Sequence, residues 1–353
     1  MSLRAASPAL AAAVLFGAST PFAKLLAGDV PPLLLAGLLY LGSGLGLGAL
    51  LLARRTMGRQ ARHASGDAAG ISRGDLPWLA GAVVFGGMLG PALLMGGLAG
   101  TSGAAASLLL NLEGVFTALL AWIVFGENAE PRVVLGMAAM VLGGVLLSWA
   151  PGGSSSLFHA LLIVAACLCW GVDNNLTRQV SSGDAMAIAC SKGLFAGACN
   201  TALALSLGAQ WPSWASVAAC LAVGLLGYGL SLTLFVVALR TLGTARTGAY
   251  FSTGPFFGVL LSLAVWPEVP PALFWPAALL MAAGVWLHLG ERHEHEHTHE
   301  LLEHAHRHVH DEHHRHDHGP EWDGTEPHVH AHRHEAMTHR HPHYPDIHHR
   351  HAH

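Results

Sequence analysis

Residues 101–125 read TSGAAASLLLNLEGVFTALLAWIVF. Glu113 is the one ionisable side chain in this run, which exceeds the roughly 20 apolar residues a helix needs to cross a bilayer. A surface helix of a soluble protein would carry a polar face at helical spacing, and none is present here. Similar stretches recur on both sides of it. Ten spans can be drawn: 8–26, 31–53, 76–97, 101–125, 131–150, 158–180, 184–207, 214–239, 244–267 and 271–289. Short breaker-rich connections separate them, such as Asp29-Val30-Pro31-Pro32, Pro151-Gly152-Gly153 and Pro267-Glu268-Val269-Pro270-Pro271. Charged residues make up 11% of the chain, against roughly 25% in soluble proteins, so burial in lipid is the simpler account. An alternative for the first span is a cleavable leader, since Arg4, an apolar stretch and Ala18-Ser19-Thr20 have that outline. The repeat described next needs this segment as a membrane helix.

The two halves resemble one another. A shift of 154 residues sets Phe16-Gly17 on Trp170-Gly171 and Lys24 on Arg178. A shift of 141 sets Gly86 on Gly227, Phe116 on Phe257, Glu127 on Glu268 and Gly143 on Gly284. An odd number of helices per copy turns the second copy over. The expected fold is therefore an all-α integral membrane protein of two inverted five-helix repeats, with domains at 1–150, 151–290 and 291–353. Such repeats characterise secondary transporters, whose solute site lies near the bilayer midplane between the copies. Basic residues give the orientation. Arg54, Arg55, Arg59, Arg62 and Arg73 fill the loop after the second span. With that loop in the cytoplasm, Arg4, Arg132, Arg178, Arg240, Arg246 and Arg292 also fall at cytoplasmic ends, and only Lys24 falls opposite. The expectation is a multi-pass protein of the inner (plasma) membrane with both termini cytoplasmic.

These residues resemble the drug/metabolite transporter superfamily in its EamA branch. The pattern Phe16-Gly17-x-x-x-Pro21-x-x-Lys24 is similar to that family's opening motif. So are Phe125-Gly126-Glu127, with Gly136, Gly143 and Gly144 after it, and Ala238-Leu239, Pro255, Glu268 and Gly284 in the second copy. The resemblance covers residues 8–289 and implies transport, without naming a solute. Asp173-Asn174-Asn175 departs from the small apolar residues usual in the sixth helix. A histidine-rich end on such a scaffold looks like a group associated with nickel and cobalt resistance.

Of 26 histidines, 23 lie from His293 onward, so the tail is a separate chemical object. It runs as His293-Glu-His295-Glu-His297-Thr-His299, His304-Ala-His306-Arg-His308-Val-His310, His313-His314-Arg-His316-Asp-His318, His328-Val-His330-Ala-His332-Arg-His334 and His339-Arg-His341-Pro-His343. Alternate spacing sets imidazoles on one side of an extended stretch, and imidazole suits Zn, Cu, Ni and Co. The tail is expected to be disordered without metal and to bind divalent ions, although a pH-sensitive polyelectrolyte or simple low complexity would read alike. The same histidines make the formal net charge of −4 uninformative.

Ionisable groups inside spans cost roughly 2.5–3.5 kcal/mol on insertion scales and are functional candidates. Glu113, two residues after Asn111, is a solute or proton site or else a neutral acid bonded to nearby backbone. Asp173 and Lys192 lie at similar depth on consecutive helices and are expected to pair, either at the solute site or as a structural clamp. Asn174, Asn175 and Asn200 could add oxygen ligands. Cys169 shares a helix face with Asp173 and could add a soft one, or simply pack. Five cysteines, all in apolar segments, argue against a disulfide framework. Glu127 and Glu268 are expected to cap or pair locally. No phosphate-binding loop or zinc-protease signature is visible, so neither an enzyme nor an ATP-driven pump is expected, and no cofactor is required. The leading expectation is efflux of a divalent transition metal, nickel, cobalt or zinc, with proton exchange as the candidate coupling. A small organic metabolite or amino acid as the exported solute, with the tail as accessory, is the alternative. A membrane-anchored metal sensor or reservoir is a third. The expected partners are the bilayer and the solute, with no nucleic acid; a homodimer is compatible with the scaffold.

Overall fold

The computed structural model describes residues 3–57, 73–125, 131–148, 157–180, 184–242, 244–266 and 269–289, and in the tail 294–299, 302–308, 328–334 and 337–342. It divides into two units, a helical one and one made largely of the tail.

The helical unit follows the apolar runs. We number its helices α1 (Leu3–Leu26), α2 (Pro32–Met57), α3 (Leu76–Ala82, Val83–Leu89 and Gly90–Ala99), α4 (Gly103–Leu109 and Leu112–Phe125), α5 (Pro131–Ser148), α6 (Leu157–Val180), α7 (Ala185–Ser206), α8 (Trp214–Gly224, Leu225–Leu230 and Ser231–Leu242), α9 (Thr244–Phe251 and Gly254–Val265) and α10 (Phe274–Leu289). Among the described residues nine helices are long and apolar enough to span a membrane, and α10 is a shorter apolar helix. The starts obey capping chemistry. Asp184 accepts from the backbone N–H groups of Met186 and Ala187, Ser102 from Ala105, and Ser213 from Ser216. Many large apolar side chains are exposed, including Ile123, Leu260 and Trp286 at 70%, 66% and 72%. A helix bundle in lipid presents such a surface.

The packing has the pairing an inverted repeat requires. Helix α2 lies along its counterpart α7, and α5 along its counterpart α10. Helix α1 packs on α8 and α9, and its counterpart α6 packs on α3 and α4. Glycines bring the backbones together. A Cβ at Gly17 of α1 would collide with the Gly254 carbonyl of α9, and one at Gly44 of α2 with the Leu194 amide of α7. Small residues at such crossings are what allow helices to associate where no hydrophobic effect drives them. Helix α1 is thus built into the bundle, as a removable leader would not be.

Two irregularities recur in each half. Helices α3 and α8 carry π-helical turns at Val83–Leu89 and Leu225–Leu230, which coincide under the 141-residue shift to within one or two residues. Helices α4 and α9 are each interrupted, at Leu110-Asn111 and at Ser252-Thr253. The interruptions meet: a Cβ on Gly114 would stand 2.9 Å from Ser252 Oγ.

The tail forms most of the second unit. Among its described residues, β1 (Glu294–His299) pairs antiparallel with β4 (Met337–Pro342), and β2 (Leu302–His308) with β3 (His328–His334). The register sets His295 opposite His341, His297 opposite His339, His304 opposite His332, His306 opposite His330 and His308 opposite His328. Strict alternation is the side-chain period of a strand. His293, His310, His313, His314, His316, His318 and His343 lie outside the described residues, as do Glu127 and Glu268.

Candidate functional site

The polar residues that a membrane core tolerates only with reason converge on one cavity between the halves. Helices α1, α2 and α4 of the first half and α6 to α9 of the second supply its walls. The space between its walls, open solvent at the mouth included, is about 460 Å³.

Asp173 and Lys192 form the pair expected of them. Lys192 Nζ donates to Asp173 Oδ1 at 2.6 Å, to Oδ2 at 2.7 Å and to Thr177 Oγ1 at 3.3 Å. Thr177 in turn donates to Asp173 Oδ1 at 2.9 Å. Space for this knot comes from Gly86, where any Cβ would overlap the Asp173 carboxylate.

Glu113 sits in the first turn of the second segment of α4, just past the break. A helix N-terminus favours a carboxylate. Asn174 Nδ2 donates to Glu113 Oε1 at 2.9 Å and also reaches Thr117 Oγ1 at 3.1 Å. The other carboxylate oxygen takes no hydrogen bond, and Glu113 has no ion-pair partner, among the described residues.

Asn111, Asn175 and Asn200 serve elsewhere and do not line the cavity. Asn111 Nδ2 donates to Leu108 O within the break of α4. Asn175 Nδ2 donates to Thr117 O and Gly171 O, tying α6 to α4. Asn200 Nδ2 donates to Gly87 O, tying α7 to the π-turn of α3. Cys169 is likewise not part of the lining.

The aromatic walls were not among the expected site residues. Phe16 packs against Trp170, Tyr228 and Phe251 with ring centroids 5.8, 6.1 and 5.1 Å apart. Tyr40 lies 5.3 Å from Tyr228, and Phe235 lies 4.8 Å from Phe251. All six line the cavity. The π-turn of α3 holds two of these rings. The Gly90 N–H bonds back to Phe85 O, and Pro91 has no N–H to give, so the Gly86 carbonyl is left without a helical donor. Tyr40 Oη fills that vacancy at 2.6 Å and Trp170 Nε1 at 3.0 Å. Their polar tips are committed, and the rings present carbon faces to the cavity. One signal for this was legible: the 154-residue shift pairs Phe16 with Trp170, and these rings touch.

The fold and the site define a polytopic carrier with a solute-sized chamber between two inverted halves. The chain belongs to the EamA-like transporter family, whose model matches residues 3–149 and again 157–290. It is 26% identical over 290 residues to an uncharacterized transporter of Methanothermobacter thermautotrophicus, covering 79% of this chain and 84% of that protein. It is also 26% identical over 265 residues to a probable terminal-alkyne amino-acid exporter of Streptantibioticus cattleyicolor, covering 71% and 88%. A protein crystal structure superposes with a TM-score of 0.59 over 80% of this chain and 95% of its own, at 19% identity, which speaks for the fold alone. The chain is therefore a membrane transporter of the EamA type.

Proposed function

We propose that this chain is a secondary exporter of a small organic solute, held between the two halves beside Glu113 and exchanged for a proton on that carboxyl. The observation that carries this reading is the lining itself: six aromatic rings and one carboxylate that has no ion-pair partner among the described residues. Aromatic walls suit an apolar body, and a few fixed polar groups orient it. The relative named for amino-acid export supports an organic solute and the outward direction. Cytoplasmic placement of the tail and both termini, read from the basic residues, agrees with collecting a solute inside the cell.

The metal-efflux reading keeps one observation in its favour, the tail, where the register sets histidine opposite histidine along both strand pairs. The chamber argues against it. Among the described residues no three His, Cys, Asp or Glu side chains converge, and Asp173 is committed to Lys192. A divalent ion would find one uncommitted carboxylate among the described residues, with the Asn174 amide, the Tyr228 and Ser231 hydroxyls and carbon rings around it, a poor replacement for its water shell. On our reading the tail binds Ni, Co or Zn as an accessory or regulator.

Expression in a sensitised host tests this. The intact chain should raise tolerance to toxic organic amines or amino-acid analogues, and Glu113→Gln should abolish the gain. A gain confined to nickel and cobalt, and lost in Glu113→Gln, would overturn the organic-solute reading.

A further inference from the structure

The charges around the chamber constrain the charge of its occupant, given the reading that this chamber is the transport site. The carboxyl and amine side chains that line it are Glu113, Asp173 and Lys192. Asp173 and Lys192 cancel. Lys192 Nζ lies against both Asp173 oxygens and Thr177 Oγ1, and the residue is 1% exposed. Its charge is matched there, so a solute carboxylate would have to displace Asp173. Glu113 remains, with one oxygen bonded to Asn174 and the other open. An ionised carboxylate this deep must be neutralised, and one positive charge does it.

We propose that the transported solute is an organic monocation, a protonated amine on an apolar body, and that it and a proton exclude one another at Glu113. As the ammonium arrives, the carboxyl gives up its proton; as the ammonium leaves, a proton returns. Exchange is then one for one and electroneutral. The walls fit such an ion. The faces of Phe16, Trp170 and Tyr228 attract a cation through the ring quadrupole, and the polar tips of Tyr40 and Trp170 are committed to Gly86 O. A zwitterionic amino acid would bring a carboxylate that meets only Lys192, and reaching it would mean breaking the Asp173 pair. A divalent ion would leave one positive charge in surplus. The other titratable groups near Glu113 are Tyr40 from α2, Tyr228 from α8, and Asp173, Cys167 and Lys192 from α6 and α7. None of them adds a second cation.

Three probes with one phenyl ring and different charge separate the possibilities: phenethylammonium, phenylalanine and 3-phenylpropionate. Isothermal titration of the purified full-length protein in nanodiscs should show phenethylammonium binding at least about tenfold more tightly than phenylalanine, a margin of about 1.4 kcal/mol. The anion should not bind. Glu113→Gln should abolish amine binding and Glu113→Asp should keep it, so that loss of charge is told apart from loss of fold. Titration in two buffers of different ionisation heat, at several pH values between about 5 and 8, should show release of up to one proton per amine, absent in Glu113→Gln. Equal or tighter binding of phenylalanine, or amine binding indifferent to Glu113→Gln, would overturn the monocation and leave the organic-solute reading in place. No binding of any probe, with Ni²⁺ binding that Glu113→Gln weakens, would overturn both.

Discussion

Lys192 is 1% exposed, and its ammonium is held by Asp173 and Thr177 as tightly as hydrogen-bond geometry allows. Removing one member of such a buried pair strands the other charge, at about 3–5 kcal/mol. Lys192→Met and Asp173→Asn are each expected to lower the melting temperature in detergent sharply. The double variant should recover most of that loss, because neither charge is then stranded. Equal loss in all three would mean that the residues act independently. This pair was legible in the sequence, since the two positions lie at similar depth on consecutive helices. The surroundings of Glu113 were not. Its partner Asn174 is 61 residues away, and the six rings near it stand in the chain as ordinary apolar positions. Only folding shows that they share a wall, while Asn111 and Asn175, as polar as Asn174 in the sequence, point their amides at backbone.

At the scale of helices, each half pairs a π-turn with a broken span; the π-turn of α8 lines the chamber, and that of α3 anchors two of its rings. Pro91 explains the first: without its N–H the helix cannot close on Gly86 O, and that carbonyl becomes an anchor for Tyr40 and Trp170. Gly86 is also the seat of the Asp173 carboxylate. Gly86→Ala is expected to push Asp173 off Lys192 and to destabilise by about 1–3 kcal/mol through overpacking, read as a lower melting temperature with weakened solute binding. An unchanged melting temperature would contradict the close approach. Gly17→Val should act similarly through the α1–α9 crossing, without touching the ion pair. The spans themselves were readable to within a few residues because apolar runs and Pro/Gly breakers set them. The π-turns and breaks were not, since a helix that changes register by one residue keeps its apolar composition.

For the whole molecule, the inverted repeat was legible as an ordered set of matches, and the pairing of α2 with α7 and of α5 with α10 is its physical expression. Two packed copies in opposite orientation give a chamber bounded by both. The basic residues predict that cysteines placed before α1 and after α10, in a background lacking the five native ones, will both be labelled only from the cytoplasmic side. Labelling from opposite sides would break the five-plus-five arrangement. The tail showed its composition plainly in sequence, while its paired strands set opposite one another histidines 20 to 46 positions apart.

Flux in everted membrane vesicles bears most directly on the role of Glu113. With a proton gradient imposed, vesicles containing the intact chain should accumulate radiolabelled phenethylamine saturably. A protonophore should collapse the uptake, Glu113→Gln should abolish it, and deletion of the chain beyond Glu291 should leave it standing. Uptake that survives Glu113→Gln, or vesicles that carry nickel and no amine, would contradict the account.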